Sequence, residues 1–375
     1  MEYAIDTRCI HGEGHRLADK NCAISYPIYQ TASFSHLTPG HNPNGFDYSR
    51  ESNPTRAYLE ETVSSLENAC DTIAFASGMA AIATLFEYFR PGDRIVLGED
   101  LYGGVSRLID RISEKNGYRI EYADTSDPEE LKKRVTPGTK AVYLETPTNP
   151  MMRVTDIRKA AEAAHGAGAL LIVDNTFMTP YFQNPIDEGA DLVIHSGTKY
   201  LSGHNDTVCG FLCCARKEHA EVFRLLSKTV GSTLGPFESW LCLRGIKTLA
   251  LRMERHKSNA EKVRAWLLQN PEVEQVYYAG SGMISFTVKS RETAEGILRN
   301  IRLITFAESL GGTESLLTYP TVQTHPDVPE ERKRKLGITD RLLRLSVGIE
   351  NPEDIIADLA RAFREAAGES GRGGE

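Results

Sequence analysis

Two stretches decide the fold, Ala169-Leu-Leu-Ile-Val-Asp-Asn-Thr176 and Asp191-Leu-Val-Ile-His-Ser-Gly-Thr-Lys-Tyr200. Each is a short apolar run of strand length that ends in polar side chains. Near-continuous apolar strands of this kind are typical of a parallel sheet that is covered on both faces. Ligands of open α/β sheets bind at the carboxyl ends of the strands, so Asp174 and Lys199 are expected at a ligand site.

The same pattern continues on both sides of these two stretches. An amphipathic helix is predicted over residues 156–167, just before the stretch that begins at Ala169. Short apolar strands joined by helices predict an α/β domain over residues 61–235, with a mostly parallel central sheet flanked by helices. The further predicted strands are residues 94–97, 119–122, 141–144 and 210–213.

The two ends of the chain have different patterns. Residues 1–60 are rich in Pro, Gly, Asn and Ser, lack helical periodicity and predict an extended N-terminal arm. Residues 236–375 predict a smaller α+β domain that opens with a long helix from Pro236 to about Gln269, bent near Gly245. Within that domain, the link Ala279-Gly-Ser-Gly282 between two apolar strands predicts a tight hairpin.

Composition excludes several classes of function. The 375 residues carry a formal net charge of −8, which disfavours binding to nucleic acid or to an anionic membrane surface. The first residues have neither a basic nor an apolar segment typical of a secretory signal, which favours the cytoplasm. The seven cysteines include the cluster Cys209, Cys213 and Cys214, but no zinc-binding spacing occurs, so we expect reduced thiols and no metal.

Three motifs carry candidate chemistry, and each has a simpler interpretation. Asp174 ends a strand, where it could ligate a metal, contact a ribose, pair with a cationic ring nitrogen or merely cap a turn. Lys199 follows the next strand, where partial burial would make its amine nucleophilic, although it could be an ordinary turn lysine. Ser77-Gly78-Met79 opens a predicted helix, whose free N–H groups could bind an anion or be capped by the serine.

Taken together, the three motifs point to pyridoxal 5′-phosphate (PLP). They offer a phosphate cradle, a carboxylate that keeps the pyridine nitrogen protonated, and an amine that forms a Schiff base with the aldehyde. Tyr102, which follows another strand, could stack on the ring and handle protons. The sequence Ser196-Gly-Thr-Lys199 also fits the S-x-x-K pattern of penicillin-binding enzymes, but the S-D-N and K-T-G companions do not occur. No G-x-G-x-x-G occurs either, which disfavours a dinucleotide enzyme.

Over nearly its whole length the chain resembles the cystathionine γ-synthase, γ-lyase, β-lyase and methionine γ-lyase family of fold-type I PLP enzymes. The motifs that carry this resemblance are Asp47-Tyr-Ser-Arg50, Asn53-Pro-Thr-Arg56, Ser77-Gly-Met79, Tyr102-Gly-Gly104, Glu145-Thr-Pro-Thr-Asn-Pro150, Asp174-Asn-Thr176, Ser196-Gly-Thr-Lys-Tyr200, Glu308-Ser-Leu-Gly-Gly312 and Arg344-Leu-Ser-Val-Gly348. Relatives usually have a longer Pro/Gly-rich connection where this chain has only residues 279–282.

The resemblance implies a role for each matching residue. Lys199 would hold PLP and shuttle protons, Asp174 would pair with the pyridine nitrogen, and Tyr102 would lie at the ring. The phosphate would be bound by Gly78, Met79, Ser196 and Thr198, and by Tyr48 and Arg50 from a neighbouring subunit. A homodimer would then be the minimal active unit and a homotetramer the usual assembly.

The resemblance also implies the substrate contacts. Arg344, with Ser309 and Asn149, would hold the α-carboxylate of an amino acid, for which a planar guanidinium is suited. Asp47, Arg107 and Glu308 would meet the distal amino and carboxylate groups of cystathionine, unless they are ordinary surface charges. We therefore expect γ-chemistry, most of all cystathionine γ-synthase acting on an O-acylhomoserine and cysteine. Cystathionine γ-lyase, β-lyase and O-acetylhomoserine sulfhydrylase remain alternatives.

Overall fold

The computed structural model describes residues 3–12, 23–39, 42, 44–326 and 328–370. Its larger part is a seven-stranded sheet with the order β1-β7-β6-β5-β4-β2-β3. Every strand is parallel to the others except β7, which runs antiparallel to both its neighbours, β1 and β6. The strands are β1 Asp71–Phe75, β2 Arg94–Gly98, β3 Arg119–Ala123, β4 Thr139–Glu145, β5 Leu170–Asp174, β6 Leu192–His195 and β7 Gly210–Cys214.

Helices cover both faces of this sheet, as the near-continuous apolar strands require. All five residues of β7 and all four residues of β6 are buried, and separate apolar clusters pack against the two faces. The helices of this part are α1 Ile5–His11, α2 Pro54–Glu67, α3 Gly78–Phe86, α4 Gly103–Asn116, α5 Pro128–Arg134, α6 Ile157–Gly166, α7 Thr179–Phe182 and α8 Lys217–Val230. The predicted α/β fold with a mostly parallel sheet is confirmed.

The C-terminal part forms a second sheet of five strands, with the order β10-β11-β12-β9-β8. An apolar cluster lies between this sheet and its helices. The elements are α9 Pro236–Ile246, α10 Leu249–Leu267, β8 Val273–Tyr278, β9 Met283–Val288, α11 Arg291–Asn300, β10 Thr305–Phe306, β11 Leu316–Thr318, α12 Glu330–Leu336, β12 Leu342–Ser346 and α13 Pro352–Ser370. The predicted α+β part and its β8–β9 hairpin are confirmed. The domain boundaries at residues 60 and 235 stay predictions.

Two predicted elements differ from the structure. The N-terminal stretch is not wholly extended, because α1 forms over Ile5–His11 and α2 begins at Pro54. Helix α1 has only two turns and one buried side chain, Cys9, so it gives no readable period. The predicted single helix from Pro236 to Gln269 is two helices, α9 and α10.

The break between α9 and α10 has a local cause. The carbonyl oxygen of Gly245 accepts hydrogen bonds from the Thr248 hydroxyl at 3.1 Å and from Arg252 Nη2 at 2.8 Å. Gly245 also packs so closely on Ser202 that an added Cβ would lie 2.1 Å from the Ser202 carbonyl oxygen. The predicted bend near Gly245 is therefore a full interruption, since α9 ends at Ile246 and α10 begins at Leu249.

Candidate active site

The carboxyl ends of β4, β5 and β6 open into a cavity of about 230 Å³. Loops from the C-terminal part close its other side. Most of the residues predicted from the sequence line this cavity: Gly78, Met79, Tyr102, Asn149, Asp174, Ser196, Thr198, Lys199, Glu308, Ser309 and Arg344. The fold therefore brings together side chains that lie up to 266 positions apart in the sequence.

Lys199 lies in the turn after β6, and its Nζ donates a hydrogen bond to Ser309 Oγ at 2.8 Å. Burial, together with the charge of Arg344, lowers the pKa of this amine to about 8, although the charge of Glu308 acts in the opposite direction. A buried amine with this pKa is partly unprotonated near neutral pH. Lys199 is therefore suited to attack a carbonyl group.

Asp174 ends β5 and is 8% exposed. Its carboxylate accepts hydrogen bonds from the Thr176 N–H at 3.0 Å and hydroxyl at 2.6 Å, and from the Tyr143 hydroxyl at 3.4 Å. Burial raises the pKa of Asp174, although the bonds from Thr176 oppose that shift. A cationic ring nitrogen at this position would repay the cost of burying the charge.

Glu145 is a second buried acid that lines the cavity, and its sequence motif predicts no role for its carboxylate. It is the strand partner of Asp174, since β4 and β5 align these two residues in register. Burial and the charge of Asp174 raise the pKa of Glu145 well above its usual value. Its Oε2 accepts the Tyr102 N–H at 2.9 Å and so fixes the loop that carries Tyr102. The sequence feature that could have identified Glu145 is its position at the end of a strand, which is the same as that of Asp174.

The N-terminus of α3 forms a candidate anion cradle. Ser77 Oγ caps the helix by accepting the Ala80 N–H at 3.0 Å. Gly78 leaves room beside β6, since an added Cβ would lie 3.0 Å from the Ser196 Cβ. Free N–H groups and the positive end of the helix dipole favour an anion such as a phosphate ester here. Thr198, across the cavity, exchanges hydrogen bonds with the backbone of Cys209.

Arg344, on β12, brings a cation into the cavity although it is only 2% exposed. Its guanidinium donates to Asn149 Oδ1 at 2.7 Å, to the Ser309 carbonyl oxygen at 3.1 Å and to Thr318 Oγ1 at 3.2 Å. Burial lowers the pKa of Arg344 to about 10, and Nε finds no hydrogen-bond partner within the described ranges. A carboxylate entering the cavity would supply both the missing charge and a hydrogen-bond acceptor.

Four predicted site residues lie outside the cavity. The guanidinium of Arg50 lies 5.4 Å from the ring centre of Tyr48 and bonds to the Lys228 carbonyl oxygen. Asp47 pairs with His36 at 2.9 Å on the surface, and Arg107 is exposed on α4. Their predicted roles in phosphate and distal substrate binding stay predictions.

The described residues give no evidence of a metal site or of a membrane-spanning helix. In those ranges, groups of three or more His, Cys, Asp or Glu side chains placed to hold a metal ion do not occur. Across the same ranges, each helix is too short or too polar to cross a bilayer.

The fold and the cavity define an α/β enzyme class that combines a buried nucleophilic amine, an acid opposite it and an anion cradle. The profile of one family, described as "Cys/Met metabolism PLP-dependent enzyme", matches residues 6–364. The chain belongs to this family, and it is a PLP-dependent enzyme.

Individual relatives agree with this assignment. The chain is 45% identical to the cystathionine γ-lyase of Bacillus subtilis (strain 168) over 374 aligned positions, and the match covers 95% of this chain and 98% of the relative. It is 45% identical to the cystathionine γ-synthase of Haemophilus influenzae over 366 residues, 97% of this chain and 98% of the relative. The crystal structure of the cystathionine γ-lyase from Lactobacillus plantarum complexed with L-serine superposes with a TM-score of 0.94 at 40% identity, covering 97% of this chain and 100% of that one.

Proposed function

We propose that this enzyme makes or breaks the bond at the γ-carbon of cystathionine-type amino acids, acting first of all as a cystathionine γ-synthase. One observation carries the proposal: a nucleophilic amine, a guanidinium and a distal carboxylate line a single cavity, in Lys199, Arg344 and Glu308. An amino acid of the cystathionine type matches these charges, because its α-carboxylate can pair with Arg344 and its distal amino group with Glu308. The product of the synthase reaction would serve methionine biosynthesis.

The cofactor would be held by residues whose present contacts fit it. Lys199 would form the covalent link, Asp174 would pair with the ring nitrogen, and Tyr102 would stack on the ring. The phosphate would lie against Gly78, Met79, Ser196 and Thr198. Support comes from the cavity that both Lys199 and Asp174 line and from the close approach of Gly78, at the N-terminus of α3, to Ser196.

The α-carboxylate of the substrate would bind Arg344, whose Nε is unpartnered in the described ranges. Asn149 and Ser309 orient the guanidinium, since both already accept hydrogen bonds from it. Ser309 contacts both Lys199 and Arg344. A substrate whose carboxylate binds the guanidinium of Arg344 would therefore have its α-carbon directed towards the amine of Lys199.

Proton transfer falls to two side chains. PLP, when bound, supplies an electron sink that stabilises negative charge on the carbon atoms of the substrate. Lys199 Nζ would accept the protons from the α- and β-carbons and return them, for which a pKa near the working pH is favourable. Tyr102, 37% exposed at the cavity mouth, would handle the proton of the departing or entering sulfur group.

The distal end of the substrate would be recognised by Glu308, with Asp47 and Arg107. Replacing Glu308 with valine, of smaller size and no charge, is expected to raise the KM for cystathionine more than the KM for methionine, which has no distal amino group. Steady-state kinetics with both substrates measures this difference. Equal changes for the two substrates would remove Glu308 from distal recognition.

The assembly would be a homotetramer of two dimers in the cytoplasm, where the thiols stay reduced. Tyr48 is 43% exposed and carries Arg50 beside it, which supports a role for both at the phosphate of a neighbouring subunit. Light scattering tests the assembly, and mixed dimers of an Arg50→Ala chain with a Lys199→Ala chain test the shared site. A monomer with full activity would contradict both.

Cystathionine γ-lyase is the second candidate, because a γ-lyase and a γ-synthase are each 45% identical to this chain. Product analysis separates the candidates, with the Lys199→Ala variant as the blank. New cystathionine from an O-acylhomoserine and cysteine indicates the synthase. From cystathionine, 2-oxobutyrate with cysteine indicates γ-lyase, and pyruvate with homocysteine indicates β-lyase. Homocysteine from O-acetylhomoserine and sulfide indicates the sulfhydrylase, and sulfur retained on a keto acid would indicate a transaminase and overturn the proposal.

A further inference from the structure

A buried polar cluster lies behind the cavity wall, and the proposed reaction does not use it. Glu67, the last residue of α2, accepts hydrogen bonds on Oε1 from His195 Nε2 at 2.5 Å and from Asn175 Nδ2 at 2.9 Å. Gln183 closes the cluster by donating to Asn175 Oδ1 at 3.0 Å. Glu67, Asn175 and His195 are each 0% exposed, so water contributes little to their stabilisation.

The cluster is joined directly to the cofactor-binding strand ends. Asn175 follows Asp174, and its N–H donates to the Ile194 carbonyl oxygen at 3.0 Å. His195 precedes Ser196, whose N–H donates to Thr176 Oγ1 at 2.9 Å. That same hydroxyl donates to the Asp174 carboxylate at 2.6 Å. Because these hydrogen bonds link residues that are neighbours in the sequence, a shift of the His195 imidazole would also move the Asp174 carboxylate.

The charge of the cluster follows from its burial. A buried carboxylate without a cation is very unfavourable, and buried charges in proteins are paired. Within the described ranges, the one cationic group in hydrogen-bond contact with Glu67 is His195. Glu67 and His195 are therefore a buried pair that stabilise each other, and His195 immediately precedes Ser196 at the cavity. Burial raises the pKa of Asp174, the hydrogen bonds of Thr176 lower it, and the charge of His195 lowers it further.

We propose that Glu67 and His195 form a positioning pair that keeps the carboxylate of Asp174 ionised and correctly aimed at the cofactor ring. Neither side chain lines the cavity, so the pair acts through Asp174. The inference rests on the proposed contact between Asp174 and the ring nitrogen. It assigns a cofactor-related role to a helix, α2, that lies outside the cavity.

The chain contains a matched control. His165 Nε2 lies 3.0 Å from Asp191 Oδ2, which gives a second contact between a histidine Nε2 and a carboxylate oxygen. Asp191 immediately precedes β6, so this second pair lies at the opposite end of the same strands. The His165 side chain is 49% exposed, and it is far from the carboxyl edge that carries Asp174.

The test compares the variants His195→Gln, Glu67→Gln and His165→Gln as apoenzymes titrated with PLP. We expect the first two to raise the PLP dissociation constant by about tenfold, the lower end of the loss found when partners that orient metal-ligating side chains are replaced. The double variant should be no weaker than the single ones, because either change already breaks the pair. His165→Gln should bind PLP as the wild type does.

Absorbance against pH gives a readout that a purely structural role would not change. Removing a positive charge near the cofactor stabilises the protonated form of the bound cofactor. The pH at which the visible band has half of its full intensity should therefore be higher in His195→Gln. His165→Gln should keep the wild-type midpoint. Wild-type affinity together with a wild-type midpoint in His195→Gln would overturn the inference.

Two further measurements keep the result interpretable. If the variants do not fold, histidine-selective ¹⁵N spectra of the wild-type apoenzyme decide: a His195 Nε2–H proton held in a hydrogen bond and slow to exchange supports the pair, and its absence overturns it. Asp174→Ala separates this inference from the proposed function. Normal PLP binding by Asp174→Ala would overturn the ring contact, whereas weak binding there with normal binding by His195→Gln would overturn the positioning pair alone.

Discussion

The two ends of β5 and β6 carry similar side chains in opposite surroundings. At the amino ends, Asp191 accepts hydrogen bonds from His165 and Arg216, both at 3.0 Å, and these partners are about half exposed. At the carboxyl ends, Asp174 and His195 are enclosed by protein. Exposed ion pairs contribute little free energy, whereas enclosed charges are costly and persist where they perform a function. Asp174 and Asp191 are both 8% exposed, so the two ends differ in the exposure of the groups around the carboxylate and not in the depth of the carboxylate itself.

The largest effect that this comparison predicts is on Lys199. Lys199→Ala is expected to abolish turnover and the absorbance band near the visible edge, because the amine that holds PLP is gone. Spectra after incubation with PLP and gel filtration measure this. Lys140 is an exposed lysine outside the cavity, so Lys140→Ala is the control and should keep both. Purified wild-type protein without any such band after incubation would contradict the role of Lys199.

The next effect concerns Arg344 across the cavity. Arg344→Ala is expected to raise the KM of every amino-acid substrate by about 10- to 100-fold, since a lost hydrogen bond to a charged group costs about 1.5–3 kcal/mol. Steady-state kinetics with cystathionine and with an O-acylhomoserine checks the common effect. Arg341, on the same strand region but paired with Glu274 at the surface, gives the control variant Arg341→Ala. An unchanged KM in Arg344→Ala would remove the residue from the site.

A smaller effect is the pH dependence of PLP capture. The pKa of Lys199 is lowered to about 8, so the unprotonated amine increases as the pH rises through 8 and levels off above it. The rate at which apoenzyme takes up PLP should follow this rise, measured by stopped-flow absorbance. N-acetyl-lysine amide, with an ordinary lysine pKa near 10.4, is the reference and should still be gaining rate at pH 9.5. A midpoint for the enzyme above 10 would show that burial does not activate the amine.

Variants of the neighbouring charges sharpen this experiment. Arg344 lowers the pKa of Lys199 and Glu308 raises it. The midpoint should therefore move to higher pH in Arg344→Ala and to lower pH in Glu308→Gln. Shifts in the same direction would mean that the two charges do not act on the amine directly.

Much of the carboxyl edge is readable from the sequence, because an apolar run followed by polar residues gives both the strand and its end. Asp174 and Lys199 are predicted in this way, and the cavity places them together. Glu145 has the same position on β4 but lies in a proline-rich motif, where its carboxylate reads as part of a turn. The pairing of Glu67 with His195 spans 128 positions, and no local pattern reports a contact between a helix end and a strand end.

The β8–β9 link shows a similar limit. The sequence indicates a tight hairpin at residues 279–282 but not what it touches. An added Cβ at Gly282 would lie 2.6 Å from the hydroxyl of Tyr200, the residue that follows Lys199. The short link therefore packs against the turn that carries the reactive amine, a contact that only the fold brings about.

The smallest predicted effect lies at the amino edge. Arg216→Gln removes one half-exposed partner of Asp191 and is expected to lower the free energy of unfolding by about 0.2–1 kcal/mol, with PLP affinity unchanged. Denaturant unfolding at low and high salt measures it, and the difference from wild type should shrink as salt screens the pair. Asp191 keeps its bonds to His165 and to the Leu171 N–H, so the strand end stays in place. A loss of PLP binding in Arg216→Gln would mean that the amino edge also positions the cofactor site, and the contrast between the two ends of the sheet would fail.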